Sequence, residues 1–126
     1  MTDQYNYLDQ ITAYSSCANA CEQCASACLR EKDAGHYRCI ELCRDCADLC
    51  RLTATLMLRD SPYVAVASQL CRIACLACAE ECIQHTSQHC HECAHACQQC
   101  ADDPLLETAR DEQENTEGNR ADARSA

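Results

Sequence analysis

Small apolar positions recur along this chain in steps of three and four. Cys falls at 17, 21, 24 and 28, at 39, 43, 46 and 50, at 71, 75, 78 and 82, and at 90, 93, 97 and 100. The first three groups read C-x3-C-x2-C-x3-C, and the last reads C-x2-C-x3-C-x2-C, the same alternation begun one step later. Steps of 3 and 4 average about 3.5 residues, the period of a helix stripe facing a partner, whereas a strand repeats every 2. Four such groups form an internal repeat, and each predicts one helix with its cysteines along a single face.

Punctuation between the groups sets the boundaries. Thr2 or Asp3 is placed to cap a first helix from about Gln4 to Lys32, stopped at Asp33-Ala34-Gly35. A second helix starts at His36 or Tyr37 and runs to Arg59. Asp60-Ser61-Pro62 then supplies an N-cap and a proline at the first position of a third helix reaching about Gln84. Thr86 or Ser87 caps a fourth, which ends near Asp102-Asp103-Pro104. Short connections make neighbours antiparallel, so the expected fold is all-α, an up-down-up-down four-helix bundle with a Cys-lined core over residues 1–106. Residues 107–126 hold six acids, three Arg and no large apolar residue, and are expected to form an acidic disordered tail.

This topology puts Cys28, Cys39, Cys82 and Cys90 near one end, the top, and Cys17, Cys50, Cys71 and Cys100 near the middle. Below them the inward stripe is expected to continue as Tyr7, Leu8, Ile11 and Tyr14, then Leu52, Leu56 and Met57, then Tyr63, Val64, Val66, Ala67 and Leu70. Leu105 and Leu106 would close a greasy floor, where Met57 packs, and the tyrosine hydroxyls would be hydrogen-bonded.

Composition makes the cysteines decisive. Leu, Ile and Val together are 17 of 126 residues and Phe is absent, a fraction that alone would suggest disorder, so the core must be Cys and Ala. The net charge of -10 argues against a nucleic-acid partner, which requires phosphate neutralisation. The first eight residues carry no basic and apolar leader, and no apolar run approaches the ~18 residues of a membrane span. A soluble, cytoplasmic protein with reduced cysteines is expected.

Sixteen inward thiols are a poor disulfide framework, because helix neighbours three or four apart have Cβ atoms about 5–6 Å apart and a disulfide wants about 3.5–4.5 Å. Metal binding accounts for them. Thiolates are soft ligands for Cu(I), Zn(II) or iron–sulfur clusters. Zn takes four ligands in a tetrahedron, typically from loops that turn around the ion, and the ferredoxin run C-x2-C-x2-C-x3-C-P is absent. A line of thiolates along a helix suits Cu(I), which accepts two or three sulfurs and can be bound in series through shared thiolates. Multiple ions per chain follow, about 8 without sharing and about one per Cys with full sharing. A metallothionein-like Zn or soft-metal buffer and an iron–sulfur protein are the alternatives. No Cys is singled out by a base or an open metal position, so no enzymatic role is expected.

The four aligned C-x3-C-x2-C-x3-C helices, over about residues 4–106, resemble the four-helix-bundle copper storage proteins of the bacterial cytosol. That resemblance implies Cu(I) storage by a non-enzyme and a homotetramer. The segment His85-Thr86-Ser87-Gln88-His89-Cys90-His91-Glu92-Cys93 is similar to the His-rich mouth of such proteins. On the helical wheel His89 and His36 overhang the top of the thiol column and His85 lies in the top loop, so these three are candidate first ligands for an arriving ion. His91 and His95 face away from the cysteines and are expected on the surface or at an interface.

Overall fold

The computed structural model describes residues 2–102. Helices α1 (Thr2–Glu31), α2 (Tyr37–Leu58), α3 (Val64–Cys82) and α4 (Gln88–Ala101) pack in chain order, and α4 closes the square against α1. Each cysteine group falls within one helix, as the spacing predicts. Among the described residues no helix is long and apolar enough to cross a membrane. Leu105, Leu106 and the segment 107–126 lie outside the described residues.

All sixteen cysteines are free thiols and are buried in the bundle axis. Ala18, Ala25, Ala47, Ala79, Ala94 and Ala101 fill the positions beside them. Small side chains at every facing position let the helices approach closely, and close approach brings sulfurs on different helices into contact.

The helix ends differ from the expected ones in instructive ways. Lys32, at φ 57, takes the left-handed conformation after α1, rather than Gly35. Gly35 serves a different need: the Asp33 carboxylate accepts the Gly35 N–H at 2.9 Å, and a Cβ there would meet that oxygen at 3.2 Å. After α2 the Ser61 N–H donates to the Leu56 carbonyl and the Asp60 N–H to that of Met57, a Schellman closure with Asp60 at φ 51 in the place usually given to glycine. Pro62 stays in the turn, where the Ser61 hydroxyl accepts the Tyr63 N–H at 3.1 Å, and α3 starts at Val64. Ser87 occupies the N-cap position of α4 with no side-chain cap bond.

The lower end corrects the expected floor. Leu8, Leu52, Tyr63, Val66 and Leu70 are exposed. The inward register continues the same alternation of three and four, which on α3 gives 64, 68, 71, 75, 78 and 82 and on α2 gives 39, 43, 46, 50, 53 and 57. Leu52 and Leu70 are each one residue off that register, Leu8 is one residue past Tyr7, Val66 lies between two inward positions, and Tyr63 precedes the helix. The register instead selects Tyr14, Thr53 and Ser68 directly below the cysteines, all buried, with Met57 and Val64 beneath. Tyr7, Ile11 and Leu56 pack partly buried against this core.

Candidate metal centre

The sulfurs form one continuous column. Nearest the floor Cys50 and Cys71 are 3.4 Å apart. Above them Cys46 lies 3.6 Å from Cys75 and 3.8 Å from Cys97, and Cys21 lies 3.5 Å from Cys97 and 3.6 Å from Cys93. Cys43 sits 3.6 Å from both Cys78 and Cys82 and 3.7 Å from Cys93. At the top Cys39 is 3.3 Å from Cys82, and Cys90 is 3.7 Å from Cys24 and 3.9 Å from Cys28.

These contacts organise into overlapping tetrads whose ligand atoms all lie within 4.8 Å of one another: Cys17-Cys50-Cys75-Cys100, Cys17-Cys21-Cys46-Cys97, Cys21-Cys78-Cys93-Cys97, Cys24-Cys43-Cys82-Cys93, and Cys24-Cys28-His89-Cys90. Successive tetrads share one sulfur, and the second and third share two, Cys21 and Cys97, so the column is a chain of corner-sharing sites with no break from floor to mouth. Cys39 and Cys71 join it through their neighbours. Helix geometry produces this arrangement: inward cysteines spaced by three and four put one sulfur per turn on each wall, and four walls give one layer per turn.

Proton positions in the column are shared. Thiol S–H donors pull Cys17, Cys39, Cys71, Cys78 and Cys93 below the ordinary thiol range, through Cys100 first for Cys17 and Cys71, Cys24 for Cys39, and Cys21 for Cys78 and Cys93. Bonds of the same kind push other thiols up: Cys21 through Cys17, Cys50 and Cys75 through Cys100, and Cys82 through Cys24. Burial, then the charge of Cys39, raises Cys28 to about 11. An arriving cation therefore displaces protons as it gains sulfurs.

The three candidate histidines meet at the mouth, in unequal positions. His89 joins Cys24, Cys28 and Cys90, with Nδ1 3.5 Å from Cys90 Sγ. Its Nε2–H donates to Glu31 Oε1 at 2.6 Å, which fixes the tautomer and leaves the Nδ1 lone pair toward the sulfurs. That bond also holds the Glu31 carboxyl below its ordinary range. His36 is buried, edge-on to His85 with ring centroids 4.5 Å apart. Its Nδ1 lies 3.2 Å from Glu31 Oε2, off the line of a hydrogen bond. His85 donates to Glu81 at 2.8 Å. His36 and His85 stand beside the tetrads rather than in them, and His91 and His95 are exposed. Glu31 and Glu81, which hold the mouth imidazoles, are absent from the sequence reading. Glu31 stands three residues beyond Cys28 and so continues the α1 stripe, the signal by which it could have been found.

Known proteins share this arrangement. A cysteine-rich protein of Bacillus subtilis, YhjQ, is 42% identical over 93 residues, 73% of this chain and 86% of that one. The Cu(I)-bound copper storage protein BsCsp3 superposes with a TM-score of 0.74 at 39% identity, covering 83% of this chain and 95% of that structure. The apo form of copper storage protein 3 from Bacillus subtilis gives a TM-score of 0.69 at 40% identity, covering 74% and 89%. The copper storage protein family matches residues 3–105, and this four-helix chain with its thiol-filled axis belongs to that family.

Proposed function

We propose that the chain stores many Cu(I) ions on its axial thiolates, and that all sixteen cysteines are ligands. The observation that carries this reading is the corner-sharing of the tetrads. Ions of low coordination number can occupy such a chain at close to one per Cys, whereas ions demanding four private sulfurs would be limited to about four per chain. A net charge of -10 favours cation approach. His89 is a ligand of the outermost site, and His36 and His85 are transfer ligands at the mouth. The chemistry is binding and release, with no reaction catalysed. Reduced thiols fit a cytosolic store serving copper homeostasis, with residues 1–106 as the storage unit.

A homotetramer is the assembly we infer, and it is supported by an apolar outer face on α3, where Val66, Leu70 and Ile73 are exposed. Replacing Leu70 and Ile73 by Glu should give a monomer in sedimentation.

A second reading keeps Zn as cargo, because the sulfur separations of 3.3–4.0 Å bracket the edge of about 3.8 Å in a ZnS4 tetrahedron with Zn–S near 2.3 Å. One experiment separates the two. Anaerobic titration of the reduced protein against a chromophoric Cu(I) chelator, with Zn present, should saturate near one Cu(I) per Cys and expel Zn. Saturation near four ions with Zn retained would replace the copper store by a zinc buffer.

A further inference from the structure

Immediately below the lowest sulfurs the axis turns from thiols to hydroxyls. Tyr14, Thr53 and Ser68 occupy the next inward positions on α1, α2 and α3 and are shielded from solvent, Ser68 at 0% exposure. Tyr14 belongs to the core cluster, whereas Thr53 and Ser68 are polar. The Thr53 hydroxyl donates to the Leu49 carbonyl at 2.7 Å and lies 3.4 Å from the Ala67 carbonyl, which ties α2 to α3 at this level. The Ser68 hydroxyl is buried without a partner. An unpaired buried hydroxyl is costly, and alanine would sit there with no such cost.

The charge on the lowest sulfurs supplies what this hydroxyl lacks. An ion held by two unshared thiolates carries a net negative charge. Among the described residues the buried side chains that carry a nitrogen or oxygen are His36, at the far end, and Tyr14, Thr53 and Ser68 at this one. Buried charge needs a donor. Ser68 is one turn from Cys71 on the same face, with Cβ atoms about 5–6 Å apart, and a helical side chain leans toward its own N-terminus, so Cys71 leans toward Ser68. Cys71 is in turn 3.4 Å from Cys50.

We propose that Ser68, seconded by Thr53, is a hydrogen-bonding floor for the innermost copper–thiolate layer, turning its O–H onto the Cys71 and Cys50 sulfurs when these are charged. Ser68 donates without giving up an existing bond, whereas Thr53 must leave Leu49, so Ser68 contributes the larger share. Both are positioning residues acting through the sulfurs. This inference rests on the copper reading above.

The test compares reduced wild type with Ser68→Ala, Ser68→Thr and Ser68→Cys in anaerobic Cu(I) titrations against chelators of graded strength, with thermal melting of each apo protein. Ser68→Ala should keep the full capacity while one or two ions become about ten- to hundredfold weaker, the scale of a hydrogen bond to a charged group. Its apo form should melt at the wild-type temperature or higher, since an unpaired hydroxyl is removed. Ser68→Thr should restore the tight ions, and Ser68→Cys should add about one ion to the capacity. Unchanged affinities in Ser68→Ala, an apo form that melts lower, or no added ion in Ser68→Cys would each overturn the floor. A wild type that binds only about four ions would instead remove the copper reading itself.

Discussion

Cys43 is the sulfur on which the shared-column arrangement can be tested most directly. Its sulfur touches Cys39 at 3.9 Å, Cys78 and Cys82 at 3.6 Å, and Cys93 at 3.7 Å, so it bridges three helices in mid-column. If each thiolate serves two ions and each ion takes two thiolates, Cys43→Ala leaves two ions with one sulfur each. Structural zinc sites bind with about 10–16 kcal/mol over four ligands, or roughly 3 kcal/mol per ligand, which corresponds to a factor of about 100 in affinity. A strong chelator should then strip about one or two ions and leave the rest. The apo protein loses one buried atom, close to a deleted methylene, at about 1 kcal/mol and roughly 4–8 °C in Tm. Chelator competition and apo melting read both numbers. A capacity equal to wild type would mean that Cys43 is no ligand, and a loss of more than about four ions would mean discrete clusters in place of a shared column.

Affinity should rise with pH, because each bound sulfur gives up a proton: for a two-thiolate site held below its thiol pKa values, about 100-fold per pH unit. The rise continues through neutral pH wherever thiols are held up, as Cys28 is at about 11, and chelator competition at pH 6.5 and 8 measures it. Glu31→Gln should weaken the outermost ion about 10–100-fold by loosening the His89 tautomer, with total capacity falling by no more than about one ion in the same titration. Asp60→Gly should raise apo stability by about 1 kcal/mol, measured by urea unfolding, by relieving a left-handed non-glycine residue without touching the column.

Much of this was legible in the spacing alone. A side chain small enough for the axis of a tight bundle, repeated at three and four, fixes helix number, facing direction and the metal-binding wall together, because no other structure satisfies that period. Legibility stopped where the cysteines stop. Around Leu52, Val66 and Leu70 hydrophobicity pointed one way and register another, and register prevailed: the close-packed cysteine layers lock helix rotation, leaving those side chains outside while Thr53 and Ser68 turn in. The end of α1 near Lys32 is legible, but the residue that makes the stop is not Gly35, for a related reason. A glycine marks a left-handed stop only by default, and Lys32 takes that conformation while Gly35 makes room for the Asp33 carboxylate. The mouth carboxylates were hidden because a charged residue at a helix end reads as solvated surface until a partner from another helix, here His89 against Glu31, is seen beside it.

Corner-sharing gives the column the statistics of a one-dimensional lattice. An ion beside an occupied site finds a sulfur already stripped of its proton and aimed at the axis, while an ion placed alone must organise both of its own. Nearest-neighbour coupling of this kind favours runs over scattered occupancy, much as stacked repeats propagate order from one unit to the next. A half-filled chain would then hold one contiguous block of copper with a single boundary against empty thiols. Filling and emptying would move that boundary along the axis, so the copper exchanged with the surroundings at any moment would be the ion at the edge of the block rather than a sample of the whole store.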